Sequence, residues 1–268
     1  MIELENITKY YTRGFFRKQK KMVVDNISLS IRAGETLGLV GESGSGKTTL
    51  GRIVLRLIEP SSGTVRFDGV DLTALSLWAM RNYRRRMQII FQDPDSSLDP
   101  RMTIHDCVAE PFIVWNLAGP REIDDRIPEL LELVGLQADL ATRYPFEISG
   151  GQKQRVALAR VLALNPTFIA ADEPTSALDL SVQAQVLSLL KDIQRKRNLT
   201  LLFISHDLQV IQKMSDTIVV MHEGKIVEQG TTSEILEHPK HHYTARMVAD
   251  ARASEAWVGK GNLTEPCQ

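Results

Sequence analysis

Cysteine is scarce: the 268 residues hold two, Cys107 and Cys267, far apart and in no metal-binding spacing. That excludes a disulfide scaffold and suits a reducing compartment. Long apolar runs are missing too, since no stretch approaches the ~18 uninterrupted apolar residues of a spanning helix. The opening "MIELENITKY" lacks the basic-then-apolar layout of a signal peptide. The expectation is a cytoplasmic protein, for which any membrane role is docking. Neither charge is in excess: a net charge of -1 and a pI near 6.6 give no bulk attraction to nucleic acid, and no nucleic-acid partner is expected. Internal repeats and low-complexity segments are absent as well. What is present, 43% hydrophobic and 24% charged residues, is the make-up of an ordinary globular protein. The length is at the upper end of what one hydrophobic core supports, so a single domain over 1–268 is expected.

"TLGLV" (36–40), "TFIAAD" (167–172) and "TLLFISHD" (200–207) are short, continuous and apolar, the mark of parallel strands buried on both faces. "KTTLGRIVLRLI" follows the first and "SVQAQVLSLLKDIQRKRN" precedes the third with helical patterning, which predicts an α/β fold with a doubly wound, mostly parallel sheet. "MIELENITKYY" with "VVDNISLSI", and the late "TIVVMHEGKIVEQG" turning at Glu223 and Gly224, read as antiparallel. Between 93 and 165 the strand signal disappears and "REIDDRIPELLELVGL" has helical spacing. The division expected is a core of 1–92 and 166–248, an inserted helical subdomain of 93–165, and a loosely held tail of 249–268.

"GESGSGKTT", Gly41 to Thr49, fits G-x-x-x-x-G-K-[ST] between an apolar strand and an amphipathic helix, the context a phosphate-binding P-loop requires. Gly41, Gly44 and Gly46 let the backbone wrap closely, so that the amides of this loop, with Ser43, Ser45 and Thr49 in it, face phosphate oxygens. Lys47 adds a cation toward the β and γ phosphates, and Thr48 offers a hydroxyl to Mg²⁺. In "FIAADEPTSALD", Asp172 at a strand end can hold Mg²⁺ through water, and Glu173 can polarise an attacking water. Such a carboxylate pair suits phosphoryl transfer, which needs positioning and charge neutralisation.

The P-loop, "ISGGQ", "ADEPTSALD" and "SHD" stand in one order, and together they resemble the ATP-binding cassette of ABC transporters from Ile2 to about Val248. The resemblance implies a P-loop NTPase of RecA-like architecture using ATP and Mg²⁺, in which each ATP lies between the P-loop of one subunit and the signature segment of another. Carried over to this sequence, Tyr11 stacks on adenine, with Tyr10 as the neighbouring alternative. Gln92, ending "MQIIFQ", touches Mg²⁺ and the attacking water; Asp179 speaks across the dimer; His206 contacts the γ-phosphate. The catalytic set is then Glu173, His206 and Gln92, and the metal set Thr48, Gln92 and Asp172. Ser149, Gly150, Gly151 and Gln152 form the signature, whose helix start leaves N–H groups pointing outward to an anion held by the partner. Lys153 and Arg155 read as charges that dock this lobe.

"FQDPDSSLDPRMTI" and "EHPKHHYTARMV" are similar to the ATPase subunits of the oligopeptide, dipeptide and nickel importer family. That implies a second, non-identical ATPase subunit, two transmembrane permease subunits and an extracytoplasmic solute-binding protein, with this chain peripheral on the cytoplasmic face of the inner membrane. Residues 93–103 would form part of the groove for a permease helix. The short tail, with its one cysteine, favours the nickel or metal-chelate branch over the peptide branch. Ala170 stands where a larger aliphatic residue is usual, and Phe146 where histidine is common. His238, His241 and His242 read as surface residues, and Arg13, Arg17, Lys18, Lys20 and Lys21 around Phe15 and Phe16 as a solvated hairpin tip. The alternative function is a cassette ATPase acting on nucleic acid or ribosomes, which would carry a second cassette or a coiled-coil insertion; neither is visible here.

Overall fold

A computed structural model describes residues 1–13 and 19–261. The chain begins with β1 (Ile2–Arg13), β2 (Gln19–Ile31) and β3 (Thr36–Val40), then α1 (Lys47–Val54), β4 (Ser62–Phe67), β5 (Val70–Asp71), α2 (Leu77–Arg84) and β6 (Met87–Ile90). Helices α3 (Ile104–Trp115), α4 (Pro120–Leu133) and α5 (Gly150–Leu162) follow, with short 3-10 turns between them and no strand. The sheet resumes with β7 (Phe168–Asp172), α6 (Leu180–Arg197), β8 (Thr200–Ser205), α7 (Leu208–Met214), β9 (Thr217–His222) and β10 (Lys225–Thr231), and the chain closes with α8 (Thr232–Glu237) and α9 (His242–Gly261).

The larger sheet has the order β10-β9-β3-β8-β7-β6. All its neighbours are parallel except the β9–β10 hairpin at its edge, where Glu223 and Gly224 both take positive φ. Such a turn matches the twist of the flanking strands. Side chains alternate between the two faces, so each strand feeds both cores. Phe168, Ala170, Leu202, Ile204, Val219 and Met221 pack with α1 and the antiparallel sheet. Ile169, Ala171, Leu201, Phe203, Ile218 and Val220 pack with the α3–α5 lobe and the late helices. Both faces are covered, which is why these strands read as unbroken apolar runs.

The second sheet, β2-β1-β4-β5, is antiparallel. Its β4–β5 half has no counterpart in the sequence reading, although Asp68-Gly69, both at positive φ, is a hairpin signal. Lys20 and Lys21 of the basic run are exposed on β2, where Lys21 pairs with Tyr11. Phe15, Phe16, Arg17 and Lys18 lie outside the described residues, as does Cys267. The expected tail begins within α9, which runs on to Gly261; 262–268 lie outside the described residues. Lys153 reaches Asp95 at 2.6 Å, and Arg155 donates to the Gly135 carbonyl and to Gln185. These contacts tie α5 to its own lobe and to α6.

Candidate active site

The P-loop leaves β3 at Gly41 and enters α1 at Lys47. Lys47 Nζ donates back to the carbonyls of Gly41 and Glu42 at 2.7 and 2.9 Å, which closes the loop into a ring. Gly46 caps α1 at φ 105°, and a Cβ there would come within 2.4 Å of the Val23 carbonyl, so only glycine fits. At Gly44, φ is 83° and a Cβ would meet nothing within 4 Å, so the crest of the loop, with exposed Ser43 beside it, faces open space. Ser45 Oγ is buried and finds no partner among the described residues. From behind, Gly224 at the β9–β10 turn donates its N–H to the Ser45 carbonyl at 3.0 Å.

Asp172 ends β7 with its side chain buried, and Thr48 donates its hydroxyl to Asp172 Oδ1 at 3.0 Å. Burial pushes the Asp172 carboxyl above its usual range, against the Thr48 hydrogen bond and the nearby Arg52 and Lys47 cations. Burial likewise pulls the Lys47 ammonium below the lysine range, while Glu173, Asp172 and Glu42 oppose it. One residue on, Glu173 is in the left-handed region at φ 48° and donates its N–H to the Ile204 carbonyl. His206 Nδ1 lies 3.1 Å from Glu173 Oε2, and Gln92 Nε2 donates to the same oxygen at 3.4 Å. Of the three side chains expected to serve catalysis, His206 and Gln92 thus converge on one carboxylate oxygen of the third, Glu173.

Gln92 is not at the end of its strand. β6 stops at Ile90, and Gln92 reaches Glu173 from the following loop. Ser149 N-caps α5 with a reciprocal pair: it accepts the Gln152 N–H at 3.3 Å and gives its own N–H to Gln152 Oε1 at 2.9 Å. The helix start is therefore satisfied in part by its own residues. The N–H groups of Gly150 and Gly151 remain without an acceptor among the described residues. Asp179 caps α6 through the N–H groups of Val182 and Ser181, and its carboxyl is held below the usual range by Val182 N–H, then by the Ser181 hydroxyl. Thr49 is half-buried in the first turn of α1. Tyr11 is half-exposed on β1, where the Lys9 ammonium lies 5.4 Å from its ring; Tyr10 is similarly exposed. Phe146, largely exposed, stacks on Tyr144 at 5.5 Å.

Sequence reasoning missed the contact of α9 with this loop. Tyr243, buried beside His222, accepts the Glu42 N–H at 3.1 Å, and Arg246 pairs with the Glu42 carboxylate. A separation of 201 residues hides it, and the only sequence signal is an aromatic in an otherwise polar helix start. His241, in the same stretch, accepts the Tyr243 N–H at 3.2 Å, and no metal-binding cluster occurs among the described residues.

The residues fit Mg²⁺ and a triphosphate. Thr48, Asp172 and Gln92 offer hard oxygen donors, and the buried Asp172 carboxylate is an anion disfavoured by desolvation and by the neighbouring Glu173 charge, which a cation would offset. Ser45 holds an orphaned hydroxyl, and the crest of the loop at Gly44 opens outward.

A profile of the ABC transporter family matches residues 24–176, more than half of the chain. The dipeptide transport ATP-binding protein DppF of Lactococcus lactis is 48% identical over 93% of this chain and 80% of its own length. The oligopeptide transport ATP-binding protein AppF of Bacillus subtilis is 43% identical over 99% and 85%. Among solved structures, a dimeric post-hydrolysis state of the ATP-binding cassette MJ0796 bound to ADP and Pi superposes with a TM-score of 0.78 at 31% identity, covering 87% of this chain and 99% of that one. DppF and AppF are named for transport, which disfavours the nucleic-acid alternative. The α/β fold is that of a P-loop NTPase, and the chain belongs to the ABC transporter family as an ATPase of its peptide importer branch.

Proposed function

We propose that this chain hydrolyses ATP with Glu173 as general base, to power import of peptides through a membrane complex. The observation that carries this is the Glu173 carboxylate, held through Oε2 by both His206 and Gln92 beside the Asp172–Thr48 pair. Lys47 and the loop amides bind and orient the phosphates, and Tyr11 stacks on the adenine. Thr48, Asp172 and Gln92 would hold Mg²⁺, which supplies charge neutralisation at the β and γ phosphates. Glu173 takes the proton of the attacking water, while His206 and Gln92 fix the carboxylate and His206 donates to the γ-phosphate.

The free N–H groups of Gly150 and Gly151, with Ser149 and Gln152, support a signature segment that completes the site of a second ATPase, with Asp179 facing that partner. The dimeric MJ0796 cassette supports the same reading. A cleft of about 360 Å³ beside 93–103, lined by Phe91, Val114 and Trp115 and by the Arg160–Glu110 pair, suits a helix of one of two permease subunits. On this reading the chain is peripheral on the cytoplasmic face of the membrane; no described helix is long and apolar enough to cross it. An extracytoplasmic solute-binding protein would deliver the cargo. Peptides are favoured over nickel because the relatives at 43–48% identity are named for peptides and dipeptides. Glu173→Gln should retain ATP affinity while ATPase turnover falls by at least about a hundredfold; full turnover by that variant removes Glu173 from the role.

A further inference from the structure

Two backbone groups of the P-loop are held from outside: the Ser45 carbonyl by Gly224 N–H, and the Glu42 N–H by the Tyr243 hydroxyl. The second comes from α9, whose start is fixed by Glu228 of β10, which accepts the N–H groups of Lys240 and His241 at 2.7 and 3.0 Å. Tyr243 is 4% exposed, its ring lies 4.1 Å from that of His222, and burial pushes its phenol above the usual range, so it stays neutral. Arg246, one turn along, pairs with the Glu42 carboxylate at 3.3 Å. Glu42 is thus gripped at backbone and side chain by one helix face, and its carbonyl already accepts Lys47.

We propose that Tyr243 is a positioning residue for the nucleotide: by accepting the Glu42 N–H it clamps the start of the phosphate loop, so that the amides beyond it are set before ATP arrives. The proposal rests on reading Gly41–Thr49 as the phosphate site. A loop amide that loses its acceptor samples other conformations, and apparent affinity falls in proportion to the competent fraction. Tyr243→Phe keeps the ring on His222 and removes only the hydroxyl. With the full chain and a fluorescent ATP analogue, this variant should bind about three- to tenfold more weakly, a loss in the range of one intramolecular hydrogen bond. Amide exchange at Glu42 should accelerate while exchange through Leu37–Val40 stays unchanged, a split that general destabilisation would not produce.

Coupling is reciprocal, so in the unaltered chain ATP should slow exchange through 242–250, and in Tyr243→Phe it should not. Unchanged affinity and Glu42 exchange in the variant, or no effect of ATP on α9 in the unaltered chain, overturns the clamp; the second measurement stands even if the variant folds poorly. Lys47→Ala separates the two ideas. If it loses ATP while Tyr243→Phe binds normally, the clamp alone falls; if it binds ATP as the unaltered chain does, the phosphate site falls and the clamp with it.

Discussion

Glu173 offers a way to measure what the catalytic geometry costs. Its φ of 48° is in a region that costs an L-residue about 1–2 kcal/mol. The following Pro174 restricts it further toward extended backbone. Two variants separate backbone from side chain. Glu173→Ala and Glu173→Gly lose the same carboxylate and the same contacts with His206 and Gln92, but alanine keeps the Cβ that makes φ 48° unfavourable. Glycine relieves about 1–2 kcal/mol of strain and adds about 0.4–1 kcal/mol of unfolded-chain entropy. The ranges subtract to about 0–1.6 kcal/mol in favour of glycine, about 0.8 kcal/mol at their centres, or about 2–3 °C in Tm for a domain of this size. The assay is reversible unfolding of both variants without nucleotide, by calorimetry and by denaturant. Both should be inactive as ATPases, so the difference reports the backbone alone. A glycine variant no more stable than the alanine variant would refute the strain.

The convergence of Gln92 and His206 on one oxygen of Glu173 predicts coupled kinetics: Gln92→Ala and His206→Ala should each lower kcat by at least about tenfold, and the double variant by less than the product. Purely multiplicative effects in steady-state ATPase assays would mean that the two act independently. Burial pushes the Cys107 thiol up to about 11, so only about one in a thousand is the reactive thiolate at pH 8. In a Cys267→Ser chain, labelling by iodoacetamide should therefore be slow when folded, rise about tenfold per pH unit below pH 10, and become fast on unfolding; rapid native labelling at pH 8 contradicts the burial.

The parts legible in the sequence are those where chemistry restricts residue type. "GESGSGKTT" announces a loop because Gly46 admits no Cβ, and "FIAAD" announces a strand because both its faces are buried. Less legible were features that depend on where the backbone turns. The β4–β5 hairpin carried its signal in Asp68-Gly69. The position of Gln92 beyond β6 had none, since Phe91 continues the apolar run of "MQIIFQ" right up to Gln92. Ser149 and Asp179 look like ligand groups in the sequence and serve in the structure as helix caps as well. The Tyr243–Glu42 contact is invisible to any local pattern, because hydrogen bonds between chain ends are fixed by the packing of α9 on the sheet.

The adjacency of Asp172 and Glu173 shows how a single strand end serves two tasks. Successive residues of a strand point to opposite faces, so an extended continuation of β7 would send the side chain at 173 away from that at 172. The chain instead leaves the sheet through a left-handed residue, with Glu173 N–H tied to Ile204. Asp172 then stays against Thr48 while Glu173 turns to His206 and Gln92, and both carboxylates still act on the Lys47 ammonium. The strained φ is what places the Asp172 carboxylate, beside Thr48, and the Glu173 carboxylate, beside His206 and Gln92, at the same edge of the sheet, as the proposed metal-binding and proton-accepting roles require. On the proposed mechanism strain and catalysis are thus linked at one residue, and for that reason Glu173→Gly should be more stable than Glu173→Ala while both have lost the catalytic carboxylate.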